Sequence, residues 1–324
     1  MAKPWRVLVN GTVPLEWLGG LVGSDVELVM GPPVMDTEWL ASRAGEFDGI
    51  VCILADRLDR QVLEEGARGR LRVVATVSAG TDHIDLEAAR QLGVVVCNTP
   101  GVLADATADV AMFLVIAVWR RLGEAERLLR SGRWGGWSLT GQLGRDLAGA
   151  RLGLVGYGGV ARALERRALA FGMAISHWSR HPTGLPGYEE DLDRLVSSTD
   201  ILSLHVPLTP ETRGIIDRRR ILAMRRGSVI INTARGEVLD EDALVDALNS
   251  GHLGGAGLDV YVGEPKVSER LLSAPNVVAL PHVGSATIET RRRMAEVAAE
   301  GLLAVLEGRN PPNAVRAPEA QEEA

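Results

Sequence analysis

The chain has little of what marks an exported, membrane-spanning or nucleic-acid-binding protein. It holds only two cysteines in 324 residues, Cys52 and Cys97, each inside an apolar strand-like run. Neither a disulfide framework nor metal-ligand spacing can be built from them, and both are expected in the core. No apolar run reaches the ~20 residues a membrane span needs, and "MAKPWRVLVNG" enters a strand too soon to leave room for a signal peptide. A cytoplasmic location is expected. Positive charge is short too: 35 Lys and Arg against 42 Asp and Glu give a formal net charge of −7. A nucleic-acid partner would call for a basic footprint. The Arg-rich pieces "RRRILAMRR" (218–226) and "RRR" (291–293) read as solvated helix faces. None of the six histidines falls in a metal-ligand spacing such as HExxH, so no metal is implied. No internal repeat or long low-complexity tract is present.

What the sequence does have is a repeated rhythm. Its length suits two domains, and short Val/Ile/Leu runs alternate with helical patterns: "RVLVNG", "VELVMG", "GIVCIL", "RVVATVS" and "VVVCNT" over residues 1–99, with crossover helices at 34–46 and 57–69. Continuous apolar strands of this kind suit parallel sheets buried on both faces. A single helix is expected over 103–132, apolar enough to need cover from another domain or subunit, followed by a Gly- and Trp-rich arm, "RWGGWSLTGQLGRDLAG", at 133–149. Six further strands then begin near 151, 174, 201, 228, 255 and 277, and the pattern from about 285 is a last amphipathic helix able to fold back onto the first unit. The acidic end at 317–324 is expected to be disordered.

The second unit opens on Gly156-Tyr157-Gly158-Gly159-Val160-Ala161, which fits G-x-G-x-x-G/A between an apolar strand and a helix. Gly156 permits the tight turn, Gly158 lets the backbone approach a pyrophosphate, and Ala161 allows close helix packing, with the helix N–H groups aimed at the phosphates. About twenty residues past the first glycine, where an NAD site places an acid, "HWSRHP" offers Ser179 and Arg180 instead. A guanidinium and a hydroxyl suit a 2′-phosphate, which favours NADP, with NAD possible.

Ligands of open α/β sheets sit beyond the carboxyl ends of the strands. There "INTARGEVLD" places Arg235, "GLDVYVGEP" places Asp259 and Glu264, and "LPHVGSAT" places His282. Arg235 can grip a carboxylate in bidentate fashion and polarise the adjacent carbonyl. His282 can donate a proton to the carbonyl oxygen, and Glu264 on the other ring nitrogen would orient the ring and favour its protonated form. These are the groups needed to reduce a 2-oxo acid.

The runs "GYGGVARALERRALAFGM", "HVPLTPETRGIID", "GSVIINTARGEVLDEDALVDALNSGHLGGAGLDVYVGEP" and "NVVALPHVGSAT", extended by "VSAGTDHID" and "VLADATADVAMFLVIAVWRR", closely resemble the D-isomer-specific 2-hydroxyacid dehydrogenases. The resemblance implies two doubly wound α/β domains, with a Rossmann cofactor domain (100–283) inserted in a flavodoxin-like substrate domain (1–99 with 284–316) and the cleft between them. It implies that Arg235 binds substrate, that Glu264 and His282 form the acid/base dyad, and that Ala79 and Gly80 offer N–H groups to the substrate carboxylate. It assigns Thr107, Pro207, Thr212, Thr233, Ala234, Asp259 and Gly284 to the cofactor lining, and the helix and arm near 103–145 to a homodimer contact. Within the family, "HWSRHP" and "SAGTDHID" look most like glyoxylate/hydroxypyruvate reductases. Ser138-Leu139 depart from the usual arm pattern, which bears on substrate choice. The rival functions are a dinucleotide-sensing protein of co-repressor type and a dehydrogenase of another small acid such as phosphite.

Overall fold

The short Val/Ile/Leu runs bury as parallel strands because both of their faces need covering. In the computed structural model, which describes residues 4–315, they form one sheet of five strands and one of six. The chain divides into two units, one running to Leu103 and resuming at Ala286, the other spanning Ala104–Ser285.

In the first unit, β1 (Trp5–Val9), β2 (Val26–Met30), β3 (Gly49–Cys52), β4 (Val73–Thr76) and β5 (Val95–Cys97) line up in the order β2-β1-β3-β4-β5, all parallel. This is the flavodoxin-like order. Helices α1 (Thr37–Arg43), α2 (Arg60–Arg68) and α3 (Leu86–Leu92) each start at an aspartate, Asp36, Asp59 and Asp85, whose carboxylate accepts a first-turn N–H. Their buried Leu40, Val62, Leu63 and Ala88 cover one face of the sheet, against Ile50, Cys52 and Val74. Burial pushes both thiols up, that of Cys97 to about 12, so neither is a nucleophile at neutral pH.

The second unit begins with α4 (Ala104–Trp119) and α5 (Leu122–Arg130). The single helix expected over 103–132 is therefore two, broken where Arg121 takes a left-handed φ of 56°. Nor does α4 need foreign cover: Ala108, Ala111, Leu114, Val115 and Val118 are buried against Leu152, Leu154 and Ile231 of its own sheet. After the arm, which holds no helix or strand, come β6 (Arg151–Val155), α6 (Gly159–Ala170), β7 (Ala174–Trp178), α7 (Leu192–Ser198), β8 (Ile201–Leu204), α8 (Arg218–Ala223), β9 (Val229–Asn232), α9 (Glu241–Asn249), β10 (Gly255–Leu258), α10 (Glu269–Leu272) and β11 (Val277–Ala279). The strand order is β11-β10-β9-β8-β6-β7. One parallel bridge, His177 to Tyr188, adds a rung outside β7, with the His177 N–H on Gly187 O and the Glu189 N–H on His177 O. It occupies the place of the third strand in the Rossmann order 3-2-1-4-5-6.

Helix α11 (Ile288–Leu306) belongs to the first unit, where Ala295, Ala298, Ala299 and Leu302 cover the second face of that sheet against Val7, Val9, Val51 and Val73. The segment after it returns to β5, with Ala314 bridged to Cys97 and the Val315 N–H on Val96 O. The tail expected at 317–324 lies outside the described residues. Among the described residues no helix is long and apolar enough to cross a membrane.

Candidate functional site

The glycine turn is built as a dinucleotide turn needs. Gly156 has φ 91°, and a Cβ there would lie 2.7 Å from the His205 carbonyl oxygen, so glycine is required twice over. A Cβ on Gly158 would meet nothing within 4 Å; the backbone there faces open space. A Cβ on Gly159 would come within 3.3 Å of the Ala104 side chain of α4, and Ala161 is fully buried, which lets α6 pack closely. No side chain caps the start of α6, leaving its first-turn N–H groups for an anion. The Tyr157 ring is taken up elsewhere, stacked on buried His177 at 3.6 Å with its hydroxyl on Glu165, while Val160 packs against the core beneath α6.

After β7 no acid stands where a ribose-binding carboxylate would. Ser179 donates to His181 O at 2.5 Å, and exposed Arg180 lies near enough to Glu211 to help, after the Thr209 bond and the local backbone, to hold that carboxyl low. Beyond β8, Thr212 organises its own loop, donating to Pro207 O at 2.5 Å and accepting the Thr209 N–H at 2.8 Å. The Thr233 hydroxyl, after β9, is buried without a partner in the protein. An orphaned hydroxyl in the unit that carries the open glycine turn fits a site built for a polar ligand. The residues present therefore suit a nicotinamide dinucleotide.

The strand-end constellation lies in the same unit. His282 Nδ1 and Glu264 Oε2 are 2.7 Å apart, with side chains about a quarter exposed (27% and 28%). With Nδ1 donating to a carboxylate, Nε2 is the nitrogen available for proton exchange. Glu264 is itself held, its Oε1 accepting the Tyr261 N–H at 2.9 Å. Partial burial is the largest influence on the Glu264 carboxyl and raises it; the bond and charge of His282, the Tyr261 N–H and the charge of Arg235 together outweigh it and leave the carboxyl below its ordinary range.

His282 has a left-handed φ of 53°, uncommon for a side-chain-bearing residue. Asp259 holds it there. Its buried carboxylate accepts the N–H groups of Val283 at 2.8 Å and Gly284 at 2.7 Å, immediately after the histidine. A Cβ on Gly284 would crowd that carboxylate at 3.1 Å and Thr107 at 3.2 Å. Thr107 and Asp259, expected to line the cofactor, thus also shape the turn that aims His282.

Three residues escape a reading by strand ends. Asn232 organises the Arg235 loop, its amide donating to Arg235 O at 2.8 Å and its oxygen accepting the Ala234 N–H at 3.0 Å. Gly236 must be glycine because a Cβ would lie 2.0 Å from the Tyr261 carbonyl carbon, so the Arg235 loop lies directly on the Glu264 loop. Tyr261 donates to Leu280 O at 2.7 Å, tying the end of β10 to the strand that delivers His282. An Asn before a turn is the one signal in the sequence that points to any of these.

In the first unit, Ala79 and Gly80 follow β4 in a partly exposed loop. Among the described residues no group of three His, Cys, Asp or Glu could hold a metal ion.

Residues 112–284 match the family description "D-isomer specific 2-hydroxyacid dehydrogenase, NAD binding domain". A glyoxylate reductase of Thermococcus litoralis is 42% identical over 302 residues, 90% of each chain. Among solved structures, a protein of Thermus thermophilus superposes with a TM-score of 0.90 at 46% identity, over 96% of this chain and 100% of that one. An NADPH-dependent glyoxylate/hydroxypyruvate reductase of Sinorhizobium meliloti, in complex with NADP and malonate, gives 0.87 at 34% identity over 97% of each. With a glycine turn fit for a dinucleotide and relatives this similar over nearly the whole chain, this protein belongs to the D-isomer-specific 2-hydroxyacid dehydrogenases, enzymes dependent on a nicotinamide dinucleotide.

Proposed function

We propose that the protein reduces a small 2-oxo acid, glyoxylate or hydroxypyruvate, to the D-2-hydroxy acid, with NADPH as the preferred cofactor. The observation that carries this reading is the 2.7 Å pair of His282 and Glu264, a proton donor held by a carboxylate. The relatives support the choice of acid, since those from Thermococcus litoralis and Sinorhizobium meliloti are reductases of glyoxylate or hydroxypyruvate.

A bound nicotinamide dinucleotide supplies hydride chemistry at the carbonyl carbon. His282 gives its Nε2 proton to the carbonyl oxygen, and Glu264 offsets the charge on the ring in the protonated state. Arg235 takes the carboxylate with its fork and polarises the neighbouring carbonyl. In the first unit the Ala79 and Gly80 N–H groups take a substrate carboxylate. For the cofactor, the backbone of Gly156, Tyr157, Gly158, Gly159 and Val160 receives the pyrophosphate, and Ser179 and Arg180 receive the ribose 2′-phosphate. Thr107, Pro207, Thr212, Thr233, Ala234, Asp259 and Gly284 line the remainder. Two copies pair through the arm, whose Trp134 and Trp137 are 55% and 82% exposed in the single chain.

His282→Gln should lower kcat for glyoxylate by about 10²–10⁴-fold while leaving the dissociation constant for NADPH within about twofold. Turnover close to that of the unaltered protein overturns the proton-donor role.

A further inference from the structure

The loop after β4 keeps its carbonyls turned inward. Ser78 O accepts the Thr99 N–H at 3.0 Å, Ala79 O accepts the Asn98 side-chain amide at 2.7 Å, and Gly80 O accepts the Ser78 hydroxyl at 2.7 Å. That hydroxyl also meets Thr76 Oγ1 at 2.8 Å, which in turn meets His83 Nε2 at 3.0 Å. In a trans peptide the carbonyl of one residue and the N–H of the next point in opposite directions. Fixing Ser78 O therefore fixes the direction of the Ala79 N–H, and fixing Ala79 O fixes that of the Gly80 N–H. The first is done by backbone. The second is done by one side chain, Asn98.

Asn98 is itself fastened from the far end of the chain. Its N–H donates to Asn313 O at 3.2 Å, and its carbonyl accepts the Asn313 side-chain amide at 2.8 Å. Asn313 is 6% exposed and also donates to Val297 O of α11 at 3.0 Å. Its carboxamide lies so close over α11 that a Cβ on Gly301 would come within 2.2 Å of Oδ1. A continuous path of hydrogen bonds and packing thus leads from α11 through Asn313 and Asn98 to one peptide plane.

We propose that Asn98 is a positioning residue for the reaction, holding the Ala79–Gly80 peptide so that the Gly80 N–H is preset toward the substrate carboxylate, with Asn313 and α11 as its anchor. The proposal rests on the reading of Ala79 and Gly80 as the carboxylate loop. Presetting the donor before the ligand arrives strengthens binding by removing the cost of ordering it. Asn98 touches no reacting atom.

The test is Asn98→Asp, of equal shape but with no amide to donate, alongside Asn98→Ala, which removes the donor without adding charge. Both should raise KM for glyoxylate by about tenfold, the usual worth of one well-placed hydrogen bond, with kcat and the dissociation constant for NADPH changed by less than about threefold. A KM for glyoxylate unchanged in either folded variant overturns the role, and so does an equal loss of NADPH affinity, which marks general damage. The underlying reading is checked separately in the unaltered protein by following the 15N-labelled amides of Ala79 and Gly80 as glyoxylate is added with NADP+. Amides that stay put remove the carboxylate loop and Asn98's role with it. Amides that shift, with KM unchanged in the variants, keep the loop and reject Asn98 alone.

Discussion

The side chain of His282 is held by bonds that begin on other residues. A left-handed conformation at a residue with a Cβ costs about 1–2 kcal/mol, and here the Asp259 carboxylate, bound to the next two N–H groups, holds the backbone in it. The residue types of this constellation are readable in the sequence because Arg235, Glu264 and His282 each follow an apolar run. The strained backbone, and the parts played by Gly236 and Tyr261, are not readable, because they arise from contacts between loops distant in sequence. Glu264 offers a test by pH. Its carboxyl lies below the ordinary 4.5 in the folded protein despite the upward push of burial, so at acid pH the unfolded chain binds the more protons. The stabilisation that Glu264 draws from its bonds as a carboxylate is therefore complete above pH 4.5 and fades as pH falls through the folded value. Glu264→Gln should lower the unfolding free energy by about 1 kcal/mol at pH 7, with the gap narrowing as pH falls below the ordinary 4.5. A gap independent of pH contradicts the pairing.

At the scale of elements, the eleven strands coincide with the apolar runs because a strand buried on both faces must be apolar throughout. Two features break the correspondence. The bridge at Tyr188 lies in "GYEE", which has no apolar run to announce it, and is held by backbone bonds to His177 with the Trp178 indole donating to Glu190 O beside it. The break between α4 and α5 falls at an arginine, which no propensity marks as a helix end. The arm is legible for the opposite reason: glycines deny it regular structure, while Trp134, Trp137, Leu139 and Leu143 stay exposed in the single chain. An apolar segment without cover is where the proposed pairing with a second copy would take place. Sedimentation should give twice the mass of one chain for the unaltered protein and a shift toward the single chain for Trp137→Ser. An unaltered protein sedimenting as one chain would remove the homodimer.

For the whole molecule, the sequence carried the two parallel sheets, their crossover helices and the return of the last helix to the first unit, since each is written in local periodicity. The proposed preference for NADPH rests on a fainter signal, Ser179 and Arg180 where an acid would bind the ribose of NAD. With an excess of acidic residues overall, anion binding under the proposed function would depend on local groups: Arg235, Arg180, the start of α6 and the loop at Ala79 and Gly80. Both substrate and cofactor are anions. The most direct measurement is kcat/KM of the purified protein for glyoxylate, hydroxypyruvate, pyruvate and bulkier 2-oxo acids, each with NADPH and with NADH, followed by loss of nicotinamide absorbance. The account predicts that the two small acids with NADPH give the highest values, at least about tenfold above the same acids with NADH, as expected for one charge-assisted contact to the 2′-phosphate. No turnover of any 2-oxo acid, with NADPH still bound, would contradict it.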